Sequence, residues 1–158
     1  MNQASLDSIK QAVLCPTYLP WQQRLLDTTT DTGTPFMHCV IRTKGGEGRG
    51  IFYEKVEQNN LGINMPPYKL WDDRMHFASG IPAQSLYIFN IPRCMHKDAM
   101  TCYFSEIQQM KSGTIIVKRN PGNCKTIDPP NIIIFTSTEP DVSQMSPNWK
   151  FHTITKNE

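Results

Sequence analysis

Two short runs, Leu86-Tyr87-Ile88-Phe89 and Ile132-Ile133-Ile134-Phe135, carry no polar residue at alternate positions. A strand with one wet face alternates, so each run predicts a strand buried on both faces. Pro129-Pro130 and Ser137-Thr138 bound the second run and keep it strand-length. Strands of this kind belong to parallel sheets covered by helices on both sides. The rest of the chain supplies such helices. Pro20 suits a first helical turn, and Trp21, Leu25 and Leu26 then share a face. Phe52 to Gln58 reads as a short helix. Asp98 to Lys111 places Met100, Tyr103, Phe104, Ile107 and Met110 at helical spacing. Further strands are expected over Phe36 to Thr43, Thr114 to Arg119 and Trp149 to Thr155. Ser5-Leu6-Asp7-Ser8 opens an amphipathic helix ending near Leu14. Asn59 to Ala83 holds three prolines and no clear period, so it reads as an irregular segment with one strand around Arg74 to Phe77. The expected fold is α/β, a mostly parallel central sheet of about five strands flanked by helices. Residues 1–17 are expected as a helical extension, 18–155 as the domain and 156–158 as a tail.

Sixteen Lys and Arg against fourteen Asp and Glu leave a net charge of only +2. Any nucleic-acid role must therefore use a local patch. No apolar run approaches the ~18 residues of a membrane span, and Met1 to Leu14 lacks the basic and apolar regions of a secretory signal. An intracellular protein is expected, in the nucleus, an organelle matrix or elsewhere. Cys15, Cys39, Cys94, Cys102 and Cys124 include no C-x-x-C pair. Reduced, mostly buried thiols are expected rather than a metal centre. Trp21, Trp71 and Trp149 read as packing anchors, and the methionines as adaptable core fillers or interface residues. Asp72-Asp73 reads as a surface turn.

Between the expected strand at Phe36 and the helix at Phe52 lies Lys44-Gly45-Gly46-Glu47-Gly48-Arg49-Gly50-Ile51. A glycine-rich loop between a strand and a helix lets backbone N–H groups converge on phosphate oxygens. Phosphate transfer at such a loop needs a Lys for the β- and γ-phosphates and a Ser or Thr for Mg²⁺. Those positions carry Arg49 and Gly50. Taken alone, the stretch describes a flexible surface turn as readily as a phosphate loop.

Five segments in order resemble the helicase domain of the Rep proteins of circoviruses and nanoviruses. Leu19-Pro20-Trp21-Gln22 resembles that family's Pro-Trp-Gln helix start, and Gly45, Gly46, Gly48, Arg49 and Gly50 fall on its phosphate loop. Leu86 to Asn90, followed by Ile91-Pro92-Arg93, resembles its Walker B strand. Ser105-Glu106-Ile107 and Met110-Lys111-Ser112-Gly113 look like the end of its next helix. Pro129-Pro130-Asn131 through Glu139-Pro140-Asp141 looks like its motif C. The resemblance covers roughly residues 18–154. It implies a superfamily 3 P-loop ATPase fold that assembles as rings on DNA, with Lys118, Arg119 and Lys125 on a hairpin that grips the backbone. A solvated hairpin is the plainer account of those three cations.

Every catalytic position departs from that pattern. Arg49 replaces the Lys, Gly50 the hydroxyl, Asn90 the Walker B Asp, Ser137 the motif C Asn, and Asn148 the Arg expected before Trp149. Phosphoryl transfer is mostly positioning and charge stabilisation, so a pseudo-ATPase with no ATP, Mg²⁺ or other cofactor is expected. The family's His-apolar-His and Tyr-x-x-Lys nicking motifs do not occur in the sequence. The resemblance and its missing residues imply a non-catalytic domain, a structural or protein-interaction subunit of a larger assembly. The alternatives are a replication-associated DNA-binding module or interfering partner of an active ring, and an active ATPase with unusual motifs; homo-oligomers and weak DNA binding are compatible with the reading.

Overall fold

The computed structural model describes residues 20–29, 37–42, 49–68, 70–91, 95–145 and 147–154. Its elements in chain order are α1 (Pro20–Thr29), β1 (Met37–Arg42), α2 (Arg49–Gln58), β2 (Ile63–Asn64), α3 (Trp71–Ser79), β3 (Leu86–Asn90) and α4 (Lys97–Lys111). There follow β4 (Thr114–Ile115), β5 (Lys125–Thr126), β6 (Asn131–Thr136) and β7 (Trp149–Ile154). The central sheet has five strands in the order β2-β3-β6-β1-β7, all parallel. β4 and β5 form a separate antiparallel hairpin. The two unbroken apolar runs became β3 and β6, adjacent in the middle of the sheet with Tyr87 opposite Ile132 and Phe89 opposite Ile134.

The period-2 alternation of each strand sends side chains into two separate cores. On one face Val40, Ile88, Ile133, Phe135 and Ile154 pack against Trp21 and Leu25 of α1 and Phe52 and Val56 of α2. On the other, Cys39, Tyr87, Phe89, Ile132 and Ile134 pack against Met75 and Ala78 of α3 and Met100, Phe104 and Ile107 of α4. Met37, Met65, Met75, Met100 and Met110 are buried, and Met95 and Met145 pack partly buried against the second core. They fill the core, one of the two roles expected of them. Trp21 and Trp149 are buried, and Trp71 stacks on Phe89 with centroids 6.1 Å apart.

Several expectations needed correction. Residues 71–79 are helical, where a strand around Arg74 was expected. Pro66, Pro67 and Pro82 bound this helix rather than interrupt it, and Arg74, Met75 and Ala78 give it a buried face. Asp72-Asp73 is not a surface turn but the acidic first turn of α3, where carboxylates suit the helix dipole. The strand expected to run to Arg119 stops at Ile115. Cys39 is buried, and burial pushes its thiol pKa up to about 12, but Cys102 and Cys124 are exposed. The helix expected from Ser5 to Leu14, Cys15, Cys94 and Arg93 lie outside the described residues.

Candidate functional site

The chain leaving β1 enters α2 on one face of the sheet, and the chain leaving β3 enters α4 on the other. β6 lies between these two strands. Where outgoing connections part in this way, at the carboxyl ends of parallel strands, open α/β sheets bind their ligands. Arg49 and Gly50 open α2, the next described element after β1. Asn90 ends β3 opposite Phe135, and Ser137 follows the last residue of β6. Arg49, Gly50, Asn90 and Ser137 thus belong to elements that meet at one edge of the sheet. Gly45, Gly46 and Gly48 lie outside the described residues.

The chemistry at this edge is a hydrogen-bonded chain of neutral groups. The Tyr53 hydroxyl, one turn into α2, donates to Asn90 Oδ1. Asn90 Nδ2 donates to Asn64 Oδ1 at 2.8 Å, at the end of β2. Glu57 Oε1 accepts the Asn64 backbone N–H at 3.0 Å and so fixes that end of the chain. Across the edge, the Thr136 hydroxyl turns back into its own loop, donating to the Thr138 carbonyl at 2.9 Å and accepting the Thr138 N–H at 3.1 Å. A divalent cation favours carboxylates. Here the amide of Asn90 has its oxygen engaged by a phenol and its nitrogen by a second amide. Sequence reasoning found Asn90 but missed Tyr53 and Asn64, whose spacing carries no signal until β2 and β3 are known to be neighbours.

The three hairpin cations are distributed differently from the expectation of a projecting basic loop. Arg119 is half exposed, with Nη1 2.6 Å from Asp73 Oδ1 and Nε 3.5 Å from Asp72 Oδ2. Lys125 donates through Nζ to the Ile81 carbonyl at 2.7 Å. Lys118 is exposed, and its backbone N–H donates to Asp72 Oδ1 at 2.6 Å. The Asp pair was legible as two adjacent acids, but its partners lie over forty residues away.

Two clefts flank α3. One, of about 470 Å³, is lined by Tyr68, Asp73, His76, Phe77, Ile81 and Arg119. The other, of about 240 Å³, lies against Trp71, Met75, Met110 and Ile116. Tyr68, Leu70 and Ile116 are exposed apolar side chains in and beside these clefts, Leu70 to 66%. Among the described residues no group of three or more His, Cys, Asp or Glu is placed to hold a metal ion. No described helix is long and apolar enough to cross a membrane.

His38 of β1 and His152 of β7 form a stacked pair, ring centroids 4.7 Å apart and Nδ1 2.5 Å from Nε2. One ring donates and the other accepts, which requires a neutral partner. Burial, then His152 and Lys150, push the His38 pKa down to about 3. Unfolding returns it to about 6.5. Between those values the unfolded chain binds the extra proton, so stability is full above pH 6.5 and falls as the pH drops. Denaturant unfolding is expected to show about 2 kcal/mol lost through His38 between pH 7 and pH 5. The variant His38→Phe should flatten that slope; an unchanged slope would remove His38 as its source.

No protein-family model matches the chain, and no curated protein or solved structure does.

Proposed function

We propose that this chain is a P-loop-type domain of Rep helicase ancestry which no longer transfers phosphate and serves as an intracellular structural or protein-interaction subunit of a larger assembly. The observation that carries the reading is the chain Tyr53–Asn90–Asn64. In a working ATPase of that kind the end of β3 offers a carboxylate to the metal's shell. Asn90 offers no charge, and its oxygen and its nitrogen each hydrogen-bond a neutral side chain. Gly50, at the first turn of α2, has no hydroxyl to add. Supporting the ancestry are the parallel five-stranded sheet and the arrival of Arg49, Asn90 and Ser137 at one strand edge. Supporting the interaction role are Leu70 and Ile116, apolar side chains left at the surface around α3.

The DNA-binding alternative draws on Lys118, which stays exposed. It is weakened because Arg119 is paired with two carboxylates and Lys125 with a carbonyl. The active-ATPase alternative would need the roles lost at Arg49 and Asn90 to be supplied from elsewhere.

Two measurements test the reading. A thermal melt with ATP and Mg²⁺ in large excess is expected to leave the midpoint unmoved. A retained site filled at 100 times its Kd would add about 2.7 kcal/mol, about 5–10 °C for a chain of this size. A rise of that order sinks the loss of the nucleotide site. Native mass in a gentle lysate is expected to show one large particle with partners of fixed identity and stoichiometry. Migration alone, as a homo-oligomer, or with nucleic acid returns the replication-module reading to first place.

A further inference from the structure

The β4–β5 hairpin has an unpaired strand edge beside the smaller of the two clefts. Thr114 lies opposite Thr126 and Ile115 opposite Lys125, and the Ile127 N–H donates to the Gly113 carbonyl at 2.7 Å. In an antiparallel pair, successive residues turn their peptide groups alternately towards and away from the partner strand. The Gly113 carbonyl and Ile115 therefore face β5, while Thr114 and Ile116 turn their N–H and C=O groups the other way. Among the described residues nothing hydrogen-bonds those four groups. The side chains of Thr114 and Ile116 also line the cleft of about 240 Å³, together with Trp71 and Met75 of α3 and Met110 of α4. The same two residues thus offer main-chain donors and acceptors and wall an apolar hollow. Ile116 is 47% exposed.

The charge around this edge is positive. Exposure alternates along the stretch, with Thr114, Ile116 and Lys118 exposed and Ile115 and Val117 buried, so Lys118 stands on the side of the two edge residues. Lys111 follows Met110 of the cleft wall. Neither lysine is in an ion pair with a described residue. The acids nearby are engaged elsewhere: Asp72 accepts the Lys118 N–H, Asp73 pairs with Arg119, and Glu106 acts on the buried Arg74. An apolar partner seated over the cleft shuts water away from the strand edge, and its peptide groups must then be satisfied by that partner. A helix satisfies its own peptide groups and leaves the edge bare; an extended segment pairs it. We propose that the free edge of β4 takes an extended segment of a partner protein as an added strand, with apolar side chains at alternate positions in the cleft and an acidic residue beside Lys118 or Lys111. The inference rests on the interaction role proposed above and names its surface.

The probe is a library of random linear peptides displayed on phage, selected against the whole chain. The best binder is then synthesised. Enriched sequences are expected to alternate apolar residues and to carry an acid next to them. The synthetic peptide should slow amide hydrogen exchange at Thr114 and Ile116. N-methylating it at alternate residues should abolish binding in one frame and spare it in the other, because only one frame faces the strand edge. Ile116→Asp should weaken binding at least about tenfold, with circular dichroism as the check on folding. Val142→Asp, the same change at another exposed apolar side chain, should alter nothing. The exchange and methylation measurements use the parent protein, so they decide the matter even if Ile116→Asp does not fold. No enriched peptide, protection elsewhere, no difference between the two methylated frames, or binding indifferent to Ile116→Asp overturns the inference. The native-mass measurement on Ile116→Asp separates this surface from the role it serves. Loss of the particle supports the surface. A particle kept by the folded variant overturns the surface and leaves the interaction role standing, whereas a parent chain that migrates alone overturns the role and the surface with it.

Discussion

Truncating Phe135 to alanine is expected to lower the free energy of unfolding by about 3–5 kcal/mol. The ring is fully buried on β6, the middle strand of the sheet, within the α1–α2 core. Three rings meet it: Trp21 at 5.9 Å, Phe52 at 6.0 Å and Tyr53 at 5.4 Å between centroids, all close to edge-on. Edge-to-face pairs each add about 0.5–1.5 kcal/mol beyond the area they bury. Alanine would leave a cavity walled by stiff rings, which collapse poorly, so the upper half of the range applies. Urea unfolding with an unchanged m-value is the measurement. A loss under about 1 kcal/mol would mean the three rings close over the gap. The same variant frees one side of Tyr53, which reaches Asn90, so it also loosens the neutral chain at the sheet edge.

Gly113→Ala is expected to be nearly as damaging, about 2–4 kcal/mol. Gly113 ends α4 with φ of 92°, a backbone region that L side chains rarely adopt. A Cβ there would sit 2.2 Å from the Ile127 carbonyl oxygen. That carbonyl belongs to the same close approach in which Ile127 N–H donates to the Gly113 carbonyl at 2.7 Å. Backbone, not a flexible side chain, must therefore move. The hairpin hangs from this contact, so its loss should displace Lys118 and Arg119 from Asp72. A thermal melt checks the stability, and a midpoint within about 2 °C of the parent would refute the strain argument.

The sheet was legible because its signals are local. Four consecutive apolar residues at 132–135, and again at 86–89, admit few places other than a doubly covered sheet. Helix α4 was legible from one face repeated over four turns. α3 was not, because it is nine residues long and hides a charged residue, Arg74, on its buried face. Arg74 is accommodated over the Tyr103 ring, 4.3 Å from its centroid, a contact between α3 and α4 that no pattern within α3 announces. β2 was missed because two residues carry no period. At the site, Asn90 and Ser137 stood out by what they replace in a resembling motif. The partners that decide their chemistry, Tyr53 and Asn64, depend on which strands are neighbours. Asp72 was visible as an acid but not as the hydrogen-bond partner of a distant turn, since long-range pairing leaves no trace in local sequence.

The position of β1 constrains how the chain reaches this structure. β1 forms early in the sequence, yet both of its neighbours, β6 and β7, come from the last third of the chain. During synthesis its apolar residues Met37, Cys39 and Val40 have no sheet to join until residue 131 and beyond have emerged. Pairings this distant in sequence close slowly, because loop entropy is lost before the contacts form. Helices α3 and α4 can dock on β2 and β3 meanwhile, which leaves β3 with an open edge until β6 arrives. An open apolar strand edge is the feature that draws chains together. The fold is thus completed by its C-terminal strands, and until they pair the apolar edge of β3 stays open.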